Sequence, residues 1–173
     1  MLDRPALLVL LEALAAELDS IGVRGEMFIV GGAAMALAYN TRRATRDIDA
    51  VFEPKATIYQ AADRVATTHG VDPNWLNDAV KGFLPGPDAG STVLFEQPGL
   101  AVRVASPRYL LAMKVMAARV ERDEDDIILL AELSGTTTVS AILDLVQNSY
   151  PHASIPPRVQ YFLEEIVGRD ETG

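Results

Sequence analysis

Gly31-Gly32, a run of small residues, then Arg43-x-Thr45-x-Asp47-Ile48-Asp49 is the stretch that most constrains what this chain can become. Glu26 to Val30 is short, apolar and bounded by Gly25 and Gly31, the pattern of a buried strand running into a glycine turn. Ala33 to Ala38 follows as a run of strong helix formers, so a helix is expected over 32–40, with its first amides and the positive end of its dipole facing the turn. That is an anion site. The chain turns basic at Arg42, Arg43 and Arg46, then enters Asp47 to Glu53, which alternates as a strand does. Period two places Asp47, Asp49, Val51 and Glu53 on one face and Ile48, Ala50 and Phe52 on the other. Two aspartates on one face of a core strand repel each other unless a cation lies between them.

Each piece has a plainer use when taken alone. A Gly-Gly before a helix is common, an isolated Asp-x-Asp is more often a solvated strand face, and three arginines in five residues usually make a charged loop. Their succession in the order strand, turn, helix, loop, strand ties them to one task.

A second stretch runs from Leu111 to Ile127. Ser106 as N-cap and Pro107 in the first turn start a helix over 108–120, with Leu110, Leu111, Met113, Met116 and Ala117 turned inward. Lys114 then lies at the edge of an apolar surface. It either snorkels to water or extends into a polar cleft to meet a triphosphate as a point charge. Arg119, Arg122, Asp123 and Asp126 stand at i, i+3, i+4 and i+7 and share a helix face, with i,i+4 pairs contributing about 0.2–0.5 kcal/mol each. The acidic run Glu121 to Asp126 equally suits the negative first turn of a helix over 123–133.

The two stretches together resemble the signature of the nucleotidyltransferase fold shared with DNA polymerase beta, and more closely its abortive-infection and toxin branch, the AbiEii-like and MenT-like proteins. The resemblance rests on Gly31-Gly32, Arg43-x-Thr45-x-Asp47-Ile48-Asp49, and a later helix lysine, Lys114, followed by Ala117, Arg119 and Arg122-Asp123-x-x-Asp126-Ile127. It spans about residues 26–130. It implies Mg²⁺ or Mn²⁺ on Asp47 and Asp49, and a nucleoside triphosphate on Gly31, Gly32, Arg43, Thr45, Arg46, Lys114, Arg122 and Asp123. Catalysis would fall to Asp47, Asp49, Lys114 and Asp126. The acceptor would be one such as the 3′ end of tRNA or a protein side chain, and the protein would be a toxin opposed by a cognate antitoxin. In one respect the chain departs from the superfamily, whose sites usually carry a third carboxylate on a later strand. The matching position, between valines in Leu100 to Ala105, is Arg103. Either Asp126 or Asp123 supplies the missing acid, or the site works with fewer metal contacts, or the protein binds nucleotide without transferring it. A non-catalytic nucleotide- or partner-binding module and an antibiotic-type nucleotidyltransferase are the rival readings.

Composition sets the outer limits. A chain of 173 residues, 49% hydrophobic and 23% charged, can bury a core. The absence of cysteine excludes disulfides and thiolate metal sites. The net charge of −9 argues against a generally nucleic-acid-coating surface. Eight of the 15 basic residues nevertheless fall within 42–46 and 103–122, which suits a locally basic cleft on an acidic body. Leu2 to Leu18 is broken by Asp3, Arg4, Glu12 and Glu17 and reads as an amphipathic helix, and no run approaches the roughly 20 apolar residues of a membrane span, so a soluble cytoplasmic protein with no membrane partner is expected. His69 and His152 lack ligand-like neighbours and are assigned no role. Walker-type and Gly-x-Gly-x-x-Gly loops are missing, which disfavours P-loop and Rossmann sites.

The expected architecture is α/β (α+β), a small mixed sheet flanked by helices with a C-terminal helical extension. Residues 1–105 form the core and 106–173 a helical part packed on it. Helices are expected at 5–20, 32–40, 55–69, 108–120, 123–133, 138–148 and 157–167, and strands at 26–30, 47–53, 91–96 and 100–105. Gly70 to Gly90, rich in Pro and Gly, reads as a loop-rich insertion with one helical turn around Trp75 to Val80. Trp75, Phe83 and Leu84 serve either as core or as cover for a cleft.

Overall fold

Strand β2 (Ile48–Glu53) buries Ile48, Ala50 and Phe52 and turns Asp49, Val51 and Glu53 to its more open side, as period-two alternation requires. The computed structural model describes residues 1–117, 119 and 122–168. The chain divides into two units, residues 1–82 with 91–105, and residues 83–90 with 106 onward. The segment 83–90 thus belongs with the C-terminal helices, although it precedes the last two strands in sequence.

The first unit is built on a mixed five-stranded sheet. To β2 are added β1 (Gly25–Ile29), β3 (Leu76–Asn77), β4 (Thr92–Gln97) and β5 (Leu100–Val104), in the order β3-β2-β1-β5-β4. β1 runs antiparallel to β2 and parallel to β5; β3 is parallel to β2, and β4 and β5 form an antiparallel hairpin. β1 and β5 bury alternate residues, Met27 and Ile29, and Leu100, Val102 and Val104. Helices α1 (Arg4–Ser20) and α3 (Lys55–His69) complete this core, with Leu7, Leu11, Leu14 and Leu18 from the first and Ile58, Ala61 and Val65 from the second all buried. Burial of the leucine, isoleucine and valine side chains stabilises by about 1.5–3 kcal/mol each. Asp3 caps α1 by accepting from the Ala6 amide at 3.0 Å. The hairpin turn at Gly99 packs against α1 so closely that a Cβ there would lie 2.0 Å from the Ala15 carbonyl oxygen.

Two elements differ from the sequence expectation. The helix after the glycine turn is α-helical only over α2 (Gly31–Ala34) and continues as a π-helical turn over Met35–Tyr39, closed by Asn40 N–H to Met35 O at 2.7 Å. The wider turn accompanies two outside contacts: Tyr39 donates its hydroxyl to Ala105 O at 2.6 Å, and Arg4 Nε donates to Leu37 O at 3.0 Å. Instead of a helical turn around Trp75 to Val80, the chain makes the two-residue strand β3 and then a 3₁₀ turn over Ala79–Phe83. Trp75 is fully buried and serves as core.

The second unit is helical: α4 (Pro107–Ala117), α5 (Glu124–Ser134), α6 (Val139–Ser149) and α7 (Pro157–Val167). Ser106 caps α4, its Oγ accepting from the Tyr109 amide at 3.2 Å. Leu110, Leu111 and Met113 are buried as expected, whereas Met116 is half-buried and Ala117 exposed. Val120 and Glu121 lie outside the described residues. The preceding segment is held to the start of α4: Asp88 accepts from the Ser106 amide and hydroxyl at 2.7 and 2.9 Å, and Tyr109 donates to Gly86 O at 2.7 Å. Among the described residues no single helix is long and apolar enough to cross a membrane.

Candidate functional site

Gly31 opens the turn with φ +64°, a left-handed conformation that a residue with a Cβ adopts at a cost of roughly 1–2 kcal/mol. Its missing side chain matters twice, because a Cβ at this position would lie 3.3 Å from Asp49 Oδ2. The next glycine is matched to the next polar group: a Cβ on Gly32 would lie 3.1 Å from Thr45 Oγ1. The glycine turn and the Asp-x-Asp motif are therefore in contact, as the sequence pattern anticipates. The helix N-cap, Val30, offers no side-chain oxygen to the first turn. The first amides of a helix have no acceptor within it, so they are suited to an external anion.

Asp49 lies in β2, half-buried, and its carbonyl accepts from the Val30 amide at 3.0 Å. Asp47 precedes the strand in a bend and is also half-buried. Its carbonyl accepts from Thr45 Oγ1 at 3.1 Å, and its Oδ2 accepts from Asn77 Nδ2 at 3.1 Å. Thr45 is fixed in turn by an antiparallel bridge to Leu2, with amide–carbonyl distances of 2.6 and 2.9 Å. Arg43 is half-buried and Arg46 exposed on the loop leading to Asp47.

These carboxylates and this turn fit a hard divalent cation. Mg²⁺ is commonly held by one or two carboxylates, with substrate phosphates and water completing its shell. Among the described residues no group of three His, Cys, Asp or Glu is placed to hold a metal, so no third acid joins the pair. At the position where one is sought, Arg103 is exposed on β5, with Nε donating to Ser91 Oγ at 2.9 Å and Nη2 to Ser91 O at 2.6 Å. It pairs in register with Phe28 of β1.

The remaining expected site residues belong to the second unit, where the structure gives them partners of their own. Lys114 Nζ lies 2.9 Å from Asp123 Oδ1 and 2.8 Å from Asp126 Oδ2. Asp123 is 7% and Asp126 1% exposed. Lys114 is thus ion-paired with two buried carboxylates, and Asp126, expected to complete the metal site, is one of them. Arg119, Arg122, Asp123 and Asp126 do not share one continuous helix face. α4 has ended at Ala117, and the chain turns, with Arg122 and Asp123 amides donating to Arg119 O, before α5 begins at Glu124. Arg119 and Arg122 are exposed.

Sequence reasoning missed Asn77. Its signal was faint, a polar pair after a tryptophan within a Pro- and Gly-rich segment, and only the strand pairing Asp49↔Asn77 reveals its place.

A family model described as "Nucleotidyltransferase of unknown function (DUF6036)" matches residues 6–155. No curated protein matches the chain. Among solved structures, an antigenic nucleotidyltransferase-like protein from Paracoccidioides brasiliensis is similar over 94% of each chain, at 17% identity and a TM-score of 0.49.

Proposed function

Since this chain belongs to the family of nucleotidyltransferases of unknown function, we propose that it moves a nucleoside monophosphate from a nucleoside triphosphate to an acceptor hydroxyl, using the glycine turn and the Asp47–Asp49 pair of its first unit. The observation that carries this reading is the close approach of Gly31 to the Asp49 carboxylate and of Gly32 to Thr45, which brings the glycine turn beside the Asp-x-Asp strand. Asp47 and Asp49 hold Mg²⁺ or Mn²⁺, and the ion supplies charge neutralisation for the phosphates. The amides following Gly31 receive phosphate oxygens, and Arg43 and Arg46 offset the negative charge that develops on the leaving pyrophosphate. The proposal is confined to residues of the first unit.

The acceptor and setting extend the proposal. The resemblance to the abortive-infection and toxin branch supports an acceptor such as the 3′ end of tRNA, or a protein side chain, and a toxin role opposed by an antitoxin. Incubation with each labelled nucleoside triphosphate, Mg²⁺ and total tRNA tests this, with label expected on RNA or on protein. Asp49→Asn is expected to abolish transfer and keep the thermal transition. Transfer undiminished in that variant overturns the metal assignment.

Arg103 and its tie to Ser91 favour one other reading, a module that binds nucleotide without transferring it. Nucleotide binding without labelled product on RNA, protein or an aminoglycoside supports that reading.

A further inference from the structure

We infer that Asn77 is a positioning residue for the Asp47 carboxylate, holding it in the orientation that receives the divalent cation. The inference rests on the metal reading proposed above and deepens it. Asn77 is not part of the motif that suggests the site; it comes from the short edge strand β3, 28 residues beyond Asp49 in sequence and level with it in the sheet register.

The amide is oriented by both of its ends. Oδ1 accepts from the Ala79 amide at 3.2 Å, a local turn closed by an asparagine side chain. Nδ2 donates to Asp47 Oδ2 at 3.1 Å. Exchange of the two ends would set an NH₂ against an N–H and a carbonyl oxygen against a carboxylate, so the arrangement admits only one orientation. One oxygen of Asp47 is thereby engaged.

The backbone that carries Asn77 is pinned on both sides to α3. Two residues earlier, Trp75 is fully buried, its Nε1–H donating to Ala62 O at 3.1 Å, while its carbonyl accepts from the Ile48 amide at 2.6 Å. One residue later, Asp78 accepts from the Tyr59 hydroxyl at 2.7 Å and pairs with Lys55, and its amide donates back to Tyr59 Oη at 3.1 Å. A two-residue strand has little stability of its own. These anchors on α3 are what keep Asn77 in place.

The chemistry of the side chain suits the task. A lysine or arginine at this point would neutralise Asp47 and compete with a metal ion, and a carboxylate would add to the repulsion between Asp47 and Asp49. A neutral donor orients the ligand and leaves its charge for the cation. Carboxylates that bind metals are themselves held by such outer hydrogen bonds, and loss of one typically weakens metal binding about 10- to 100-fold.

Mn²⁺ binding to the full chain, measured by electron paramagnetic resonance without nucleotide, tests the inference apart from any activity. Asn77→Leu, close in shape but without a donor, is expected to weaken Mn²⁺ binding about tenfold. Wild-type affinity in a folded Asn77→Leu overturns the inference and leaves the metal reading standing. A wild-type protein that binds no Mn²⁺, or an Asp49→Asn variant that binds as well as wild type, removes the metal reading and the inference with it. Should Asn77→Leu fail to fold, Asn77→Ser decides, because its hydroxyl keeps an acceptor for the Ala79 amide while the donor to Asp47 is lost. It is expected to weaken Mn²⁺ binding about tenfold; unchanged binding in the folded variant overturns the inference.

Discussion

Asp49 Oδ2 faces the Cα of Gly31 so closely that the first carbon of any side chain there would approach it to 3.3 Å. This contact joins the turn to the strand, and it sets the clearest mutational test. Gly31→Ala combines a left-handed φ, costing roughly 1–2 kcal/mol, with displacement of the Asp49 carboxylate. The expected outcome is a modest loss of stability in urea unfolding and a much larger loss of Mn²⁺ and nucleotide affinity by titration calorimetry.

The buried cluster of the second unit predicts a stability effect. Removal of Lys114 takes away the ammonium that is paired with both Asp123 and Asp126, and breaking such a buried pair costs about 3–5 kcal/mol. Lys114→Met is expected to destabilise by that amount. Addition of Asp126→Asn to Lys114→Met is expected to recover part of it, a coupling that a double-mutant cycle in urea measures.

Asp78 predicts a pH dependence. Its carboxyl is held below the ordinary 3.8, first by Lys55 and then by the Tyr59 hydroxyl. A group with a depressed folded value contributes stability that is full above its unfolded value and is lost as the pH falls through the folded one. Asp78→Asn is therefore expected to be less stable than wild type at neutral pH. The difference narrows below pH 3.8, read as urea midpoints by circular dichroism across the acid range.

Tyr109 predicts the behaviour at the opposite end of the scale. Burial, and then the charge of Asp88, push its hydroxyl up to about 12. The stability it contributes is full below 10.0 and is lost as the pH rises through about 12. In an ultraviolet phenolate titration Tyr109 is expected to contribute to a late step, and Tyr109→Phe lowers the amplitude of that step without abolishing it, because burial pushes the Tyr150 hydroxyl up as well.

Most of the architecture was legible because it follows from local rules. Alternation marks β2, the Ala-rich run marks a helix after Gly31, and Ser106-Pro107 marks the start of α4. What escaped depends on contacts distant in sequence. β3 forms because Trp75 is drawn into the core and Asp78 is tied to α3, and neither event leaves a periodic trace in Leu76-Asn77. The π-helical turn likewise coincides with contacts from residues distant in sequence, Arg4 and Ala105. Among the candidate site residues, the spacing of Gly31, Gly32, Thr45, Asp47 and Asp49 carried real geometry. The i, i+4 spacing of Arg119 to Asp126 did not, since the chain turns between the two helices.

Trp75 is the one tryptophan in the chain, and it stands two residues from Asn77. Its indole is an intrinsic fluorophore for that edge of the sheet. The emission maximum and quenching of the native protein therefore report on whether β3 stays docked, with no added label.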